Sequence, residues 1–175
     1  EIAIMKISKF TSAMAFSLLT AAAMPSFAGS DYAVVQGNAI VSMSDGASHK
    51  LVRSFTLPSN VSLSTATVRS AILEMETRNV DFTTNEVYVN PPTTVCTSDG
   101  AEDANQPASI GYIDPHPTVR TEYFSDSISF ASSKLKVGTN TIMVCIRSSA
   151  GLGGASGVNL DNINLRNIVV DYQVN

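Results

Sequence analysis

The feature that most constrains the fold of this chain is an alternation of apolar and polar residues with a period of two. It is clearest over Thr67–Thr77 (TVRSAILEMET), where Leu73 and Met75 share one face. Glu74 and Glu76 share the other face. Ala, Leu, Glu and Met are also good helix formers, so a helix is the alternative for this segment. The strict period and the β-branched residues before it predict a strand.

Shorter segments of the same kind recur along the chain, separated by turn residues. They are Tyr32–Val35, Ala39–Met43, His49–Leu57, Glu86–Val89, Asp126–Phe130, Thr139–Arg147 and Asn162–Val174. Regularly spaced short strands are typical of β-sandwiches. We therefore predict an all-β fold: a single-domain antiparallel β-sandwich of jelly-roll type with about eight strands.

The last of these segments changes phase part-way along. Ile163 and Leu165 share one face, whereas Ile168 and Val170 fall on the other if the strand is regular. One extra residue in a strand restores the alternation. The pattern therefore predicts a β-bulge near Asn167.

The first 28 residues have the pattern of a secretion signal. Counting from Met5 as the start, Lys6 and Lys9 form a basic region ahead of the apolar run Ala13–Ala23, and a small-x-small cleavage site ends at Ala28. The apolar run is about 11 residues, whereas a membrane-spanning helix needs roughly 20. We predict cleavage after Ala28, one β-sandwich domain over residues 29–175, and a periplasmic or extracellular location of the Gram-negative type.

The charge of the chain bears on its partners. The net charge is −4, and loss of the predicted leader makes it one unit more negative. No cluster of Lys or Arg stands out, which argues against nucleic acid as a partner. No second apolar stretch is long enough for a transmembrane segment after signal cleavage.

Cys96 and Cys145 are the two cysteines of the sequence, and both follow the predicted leader. An even pair in an exported chain usually forms one disulfide, which is our prediction. A metal-binding or catalytic thiol is the alternative. It is less favoured because neither cysteine has a His or a second Cys at ligand spacing.

Four segments together carry a family resemblance: Thr65–Asp81, NEVYVN (85–90), LKVGTNTIMVCI (135–146) and NLDNINLRNIVVDY (159–172). This succession resembles the galactose-binding-domain-like jelly rolls of secreted bacterial proteins. The resemblance implies a sandwich fold and a role in glycan binding. Within it, Leu135 closes the core, Gly138 permits a tight turn and Asn140 can bond to its own loop.

Two departures from that family pattern stand out. Pro91-Pro92 replaces the glycine expected after NEVYVN, and the sequence contains no tryptophan. The second departure weakens the case for an aromatic platform that stacks on sugar rings.

The stretch Cys96–Pro117 is long and irregular, and such loops are usually functional or mobile. Asp99, Glu102 and Asp103 form a loose carboxylate cluster within it, which makes calcium a possible cofactor. The regular spacing of a calcium loop is missing. A solvated acidic loop is therefore the favoured interpretation of these three residues.

Tyr112, Tyr123 and His116 are the candidate ligand-contacting residues, because they flank or lie in the same stretch. The alternatives are ordinary half-buried packing for the two tyrosines and a surface position for the histidine. The sequence indicates no cofactor other than calcium.

These observations favour an exported, non-catalytic β-sandwich binding module for a glycan or another cell-envelope component. A structural pilin-like or matrix subunit is the alternative. A small secreted hydrolase is less favoured, since the chain lacks the G-x-S-x-G and H-E-x-x-H signatures. A glycosidase would need two carboxylates in one cleft. We predict that the chain is not an enzyme and leave its oligomeric state open.

Overall fold

The computed structural model describes residues 29–44, 50–63, 69–81, 85–94, 96, 109–116, 121–146 and 161–174. The strands are β1 (Gly29–Gln36), β2 (Val41–Met43), β3 (Lys50–Leu57), β4 (Arg69–Arg78), β5 (Glu86–Val89), β6 (Gly111–Tyr112), β7 (Phe124–Ala131), β8 (Gly138–Cys145) and β9 (Ile163–Val174). The predicted all-β fold is confirmed. The helical alternative for Thr67–Thr77 is wrong, because the described part of this segment lies in β4.

The predicted leader, residues 1–28, lies outside the described residues. Within the residues that are described, no helix is both long and apolar enough to cross a membrane.

The strands form two antiparallel sheets. Sheet A has the order β1-β9-β4-β7, and β2 pairs with the first part of β9. Sheet B has the order β3-β8-β5-β6. Strand β1 contacts β3 on one side of the molecule and β6 contacts β7 on the other. The two sheets therefore face each other as a sandwich, as predicted.

The core lies between the sheets and is built from the inward side chains of each alternating strand. Leu73 of β4, Val170 of β9 and Val144 of β8 are fully buried there. Burying a large apolar side chain contributes about 1.5–3 kcal/mol. The period of two in the sequence thus decides which side of each strand faces the core.

The predicted bulge in β9 is present. Asn167 has a φ of 50°, and the pairing of β9 with β4 shifts between Glu74 and Glu76. The Asn167 amide donates to the carbonyl of Gly37 at 2.9 Å. Because one residue is inserted here, Arg166 and Asn167 both project from the outer face of sheet A.

The outer face of sheet B is covered. Cys96 and Cys145 form the predicted disulfide, with a Cα–Cα distance of 5.7 Å and a sequence separation of 49. The disulfide packs with Tyr88 and Met143 in a second, smaller apolar cluster. Lys50 Nζ donates to the Thr94 carbonyl at 2.8 Å. These contacts hold the segment after β5 across the outer face of this sheet.

The turn into β8 has the roles expected of its residues. Leu135 is buried in the core, and Gly138 has a φ of 85°, which favours glycine. Asn140 accepts from the Lys136 amide at 2.9 Å and donates to the Lys136 carbonyl at 2.7 Å. Asn90 donates to Asn140 at 2.8 Å, so the end of β5 is fixed to the same turn.

Candidate functional site

The outer face of sheet A carries an open groove of about 470 Å³. Its lining side chains come from the three adjacent strands β4, β7 and β9. They are Glu74, Met75 and Glu76, Ser125, Asp126 and Ser127, and Asn167 and Val169. Six of the eight are polar. Asp126 and Met75 are buried, so the hydrogen-bonding groups that the groove offers to a ligand are those of the other five polar residues.

The strand register explains why these residues meet. Glu74 lies between Val169 and Ser127 on its two neighbouring strands. Glu76 lies between Arg166 and Ser125 in the same way. Since neighbouring strands are about 4.8 Å apart, each row places three side chains within about 10 Å.

Glu76 is the most highly connected of the groove carboxylates. It accepts from Arg166 Nε at 2.5 Å and from Asn167 Nδ2 at 3.1 Å. The hydrogen bonds from Asn167 and Arg166 hold the pKa of Glu76 below its ordinary value. Glu76 is therefore ionised at neutral pH, and its orientation is set by two donors.

Two guanidinium groups and an aromatic ring lie next to Glu76, outside the groove itself. The Arg166 guanidinium carbon lies 3.9 Å from the centre of the Tyr123 ring. The corresponding distance from Arg78 is 4.9 Å. Both distances are within the range of cation–π attraction. We call Arg78, Tyr123 and Arg166 the arginine corner.

Exposed apolar side chains lie elsewhere on the same face. Tyr32 of the edge strand β1 is 64% exposed, and Val34 is 57% exposed. Tyr32 and Ile72 lie on either side of Asp171 in one row across the sheet. An exposed tyrosine beside a hydrogen-bonding groove presents an apolar ring face and a polar tip.

A second polar cluster lies on the inner side of β7. The ring of His116 stacks on Phe124, with centroids 4.1 Å apart, and His116 Nε2 is 3.7 Å from Asp126. Asp126 also accepts from the Thr77 hydroxyl. Burial raises the pKa of Asp126, although the Thr77 hydrogen bond and His116 act in the opposite direction.

The structure does not bring the three predicted ligand-contacting residues together. Tyr123 contacts Arg78 and Arg166, whereas His116 is on the inner side of the same sheet. Tyr112 is half exposed on β6, the edge strand of sheet B, where it pairs with Glu86. A role for each of them in ligand binding remains a prediction.

The predicted calcium ligands Asp99, Glu102 and Asp103 lie outside the described residues. In the described part of the chain, no three His, Cys, Asp or Glu side chains are grouped as a metal site would require. Calcium binding therefore stays a prediction.

Sequence reasoning placed Glu74 and Glu76 on one face of a strand but did not recognise the site they help to form. The alternation and the phase slip at Asn167 were available as signals. The missing information was which strands lie beside β4, since Ser125 and Asn167 are far from it in sequence.

Comparison with known proteins gives a structural likeness but no family. No family model matches the sequence, and no curated protein matches it. The chain is similar to the solved structure of a β-porphyranase of glycoside hydrolase family 86 from the human gut bacterium Bacteroides plebeius. The TM-score is 0.43 at 14% identity, and the match covers 83% of this chain and 20% of that one.

This finding contradicts the prediction that the chain is not an enzyme, because the similar structure is that of a glycoside hydrolase. The chain spans about one fifth of that protein, and a likeness of this extent locates no catalytic residue here. The galactose-binding-like jelly roll is likewise a finer description than the comparison confirms. The β-sandwich architecture stands.

Proposed function

We propose that the chain binds a glycan along the outer face of sheet A. The observation that carries this proposal is the open groove, in which carboxylate, amide and hydroxyl side chains from three adjacent strands converge. The exposed ring of Tyr32 lies on the same face.

The chemistry of the groove suits a polyhydroxylated ligand. Sugar hydroxyls both donate and accept hydrogen bonds, so they can pair with Glu74, Asn167 and the two serines together. Glu76 is already oriented by Arg166 and Asn167, which lowers the ordering cost of binding. Tyr32 offers an aromatic face for the apolar side of a sugar ring.

A glycan array followed by affinity measurements on matched variants tests this proposal. Glu74→Ala should weaken binding by about tenfold or more, since it removes charge-assisted hydrogen bonds. Ser127→Ala should weaken binding less, and Ser54→Ala is its control because Ser54 is equally exposed on β3 of sheet B. Tyr32→Ala pairs with Tyr112→Ala in the same way.

The paired variants distinguish two locations for the site. Weaker binding in the Tyr32 and Ser127 variants alone supports the groove. Weaker binding in the Tyr112 variant alone overturns it in favour of the loop end predicted from the sequence. If no glycan binds and the chain polymerises, the structural-subunit alternative gains instead.

Hydrolysis of the bound glycan is a second candidate function, favoured by the two carboxylates in one groove. Glu74 and Glu76 are two residues apart on β4, so their Cα atoms are about 7 Å apart. Catalytic carboxyl pairs of glycosidases are separated by about 5–10 Å. The ionised Glu76 would act as base or nucleophile, and Glu74 would be the second carboxyl group of the pair.

Release of reducing ends from the glycans that bind tests this second function. Glu74→Gln should abolish the release while binding persists. Absence of any release from bound glycans would leave a binding function alone.

We further propose that the chain works in the periplasm or outside the cell. The Cys96–Cys145 disulfide supports this location, because such bonds persist in oxidising compartments. The leader predicted over residues 1–28 supports it independently. Cell fractionation of a tagged full-length chain tests this location. Recovery of the chain in the cytoplasm would contradict it.

A further inference from the structure

The arginine corner holds a positive charge that its own contacts leave unpaired. Arg166 is paired with Glu76 at 2.5 Å. Within the described part of the chain, Arg78 makes no ion pair and contacts the Tyr123 ring instead. The ring attracts the cation but carries no net charge. One guanidinium group therefore remains available to an anion at this corner.

Two buried polar atoms of the corner have no hydrogen-bond partner among the residues that the structure describes. They are Arg78 Nε and the Tyr123 hydroxyl. Native structures rarely leave such groups unsatisfied, because their desolvation is not compensated. Neither atom is open to solvent, so an anion would bind the terminal Nη atoms of Arg78, whose side chain is only partly buried.

The position of the corner relates it to the groove. Arg78 follows Glu74 and Glu76 at alternate positions of β4, so the three side chains stand in one line on the outer face. Arg166 connects Glu76 to the Tyr123 ring. A glycan lying over Glu74 and Glu76 would bring its next sugar unit to Arg78.

We propose that the arginine corner is an anion subsite, which holds a carboxylate or sulfate group of an acidic glycan whose uncharged part lies in the groove. This inference rests on the proposed glycan-binding function. A planar guanidinium group recognises the oxygens of either anion through paired hydrogen bonds. The groove supplies the hydroxyl contacts, and the corner selects for the charge.

Matched polysaccharides that differ in charge test the subsite. The probes are oligosaccharides of polygalacturonate, their fully methyl-esterified form, dextran and dextran sulfate, each titrated by calorimetry against the full chain. Polygalacturonate should bind more tightly than its methyl ester, or dextran sulfate more tightly than dextran. The pair with the larger difference in affinity identifies carboxylate or sulfate as the anion. Added salt should weaken only the acidic probes.

The net negative charge of the chain makes this preference informative. A protein of net charge −4 repels a polyanion overall, so tighter binding of the acidic form has to come from a local site. Arg78→Gln should reduce the affinity for the acidic probe about 10- to 100-fold and leave the uncharged probe unaffected. Arg78→Lys, which keeps the charge without the fork, should recover part of the loss.

Lys136→Gln is the control, because it removes one positive charge from an exposed position next to β8. Equal losses of affinity in the Lys136 and Arg78 variants would overturn the subsite in favour of a general charge effect.

If Arg78→Gln does not fold, the salt dependence of binding by the unaltered chain decides. Equal effects of salt on both members of a pair would overturn the subsite. Binding of uncharged glycans on the array without preference for acidic forms overturns the subsite alone. Binding of no glycan at all overturns the proposed function with it.

Discussion

The two outer faces of the sandwich differ in what covers them. On sheet B, Met143 and Cys145 point outward but are buried beneath a segment that the Cys96 disulfide holds in place. On sheet A, Tyr32 and Ile72 point outward and are exposed. A residue that the period of two turns away from the core is therefore not always exposed to solvent. The disulfide holds the segment that covers one face, and the other face stays exposed.

Removal of the disulfide should have the largest effect on this difference. In the chain-entropy account, opening the loop between Cys96 and Cys145 costs about 4 kcal/mol of unfolding free energy. Urea denaturation of the Cys96→Ala, Cys145→Ala double variant measures this loss. An unchanged denaturation midpoint would mean that the covered face does not depend on the disulfide. Glycan binding by the folded fraction should persist, since the groove is on the other sheet.

Truncation of one outward residue on each face compares the two directly. Met143→Ala should lower the unfolding free energy by about 3 kcal/mol, because Met143 is fully buried. Ile72→Ala should lower it by less than about 1 kcal/mol, since Ile72 is 39% exposed. Equal losses in the two variants would break the distinction between a covered and an open face.

Two carboxyl groups of sheet A should respond to pH in opposite directions. Burial raises the pKa of Asp126, so its contribution to stability is complete below the ordinary value near 3.8 and is lost as the pH rises above it. Asp126→Asn cannot ionise. The variant should therefore gain stability relative to the unaltered chain between pH 4 and pH 7, as measured by urea denaturation. A constant difference across this range would contradict the effect of burial.

Glu76 on the open face should show the reverse dependence, with a smaller amplitude. Its lowered pKa means that its contribution is present above the ordinary value near 4.5 and is lost as the pH falls below it. Glu76→Gln should destabilise the chain by less than about 1 kcal/mol at neutral pH, because the ion pair with Arg166 is partly exposed. The difference should shrink in acid. A difference that grows in acid would contradict the donor contacts described for Glu76.

Local features of the fold were predictable because each follows from a pattern among neighbouring residues in the sequence. The period of two identified β4, and the phase slip identified the bulge at Asn167. An even number of cysteines sufficed for the disulfide. Each of these inferences needs only neighbouring residues or a simple pairing rule.

The groove was not predictable, because strand order is a long-range property. Glu76 and Ser125 are neighbours only because β7 pairs with β4, and no local pattern specifies that pairing. The same holds for the covering of Met143, which depends on where the segment around Cys96 lies. The choice of Tyr112, Tyr123 and His116 as candidate ligand-contacting residues rested on closeness in sequence instead, and the three residues lie in different parts of the sandwich.

The single inserted residue of β9 makes the outer face of sheet A separable from the core. If Asn167 were deleted, Leu165 and Ile168 would keep their inward positions, and the strand would alternate without interruption. The deleted form would lose the amide that orients Glu76 and the contact with Gly37, but no core side chain. A one-residue change of length could thus add or remove ligand specificity in such a scaffold while its folding pattern is inherited unchanged.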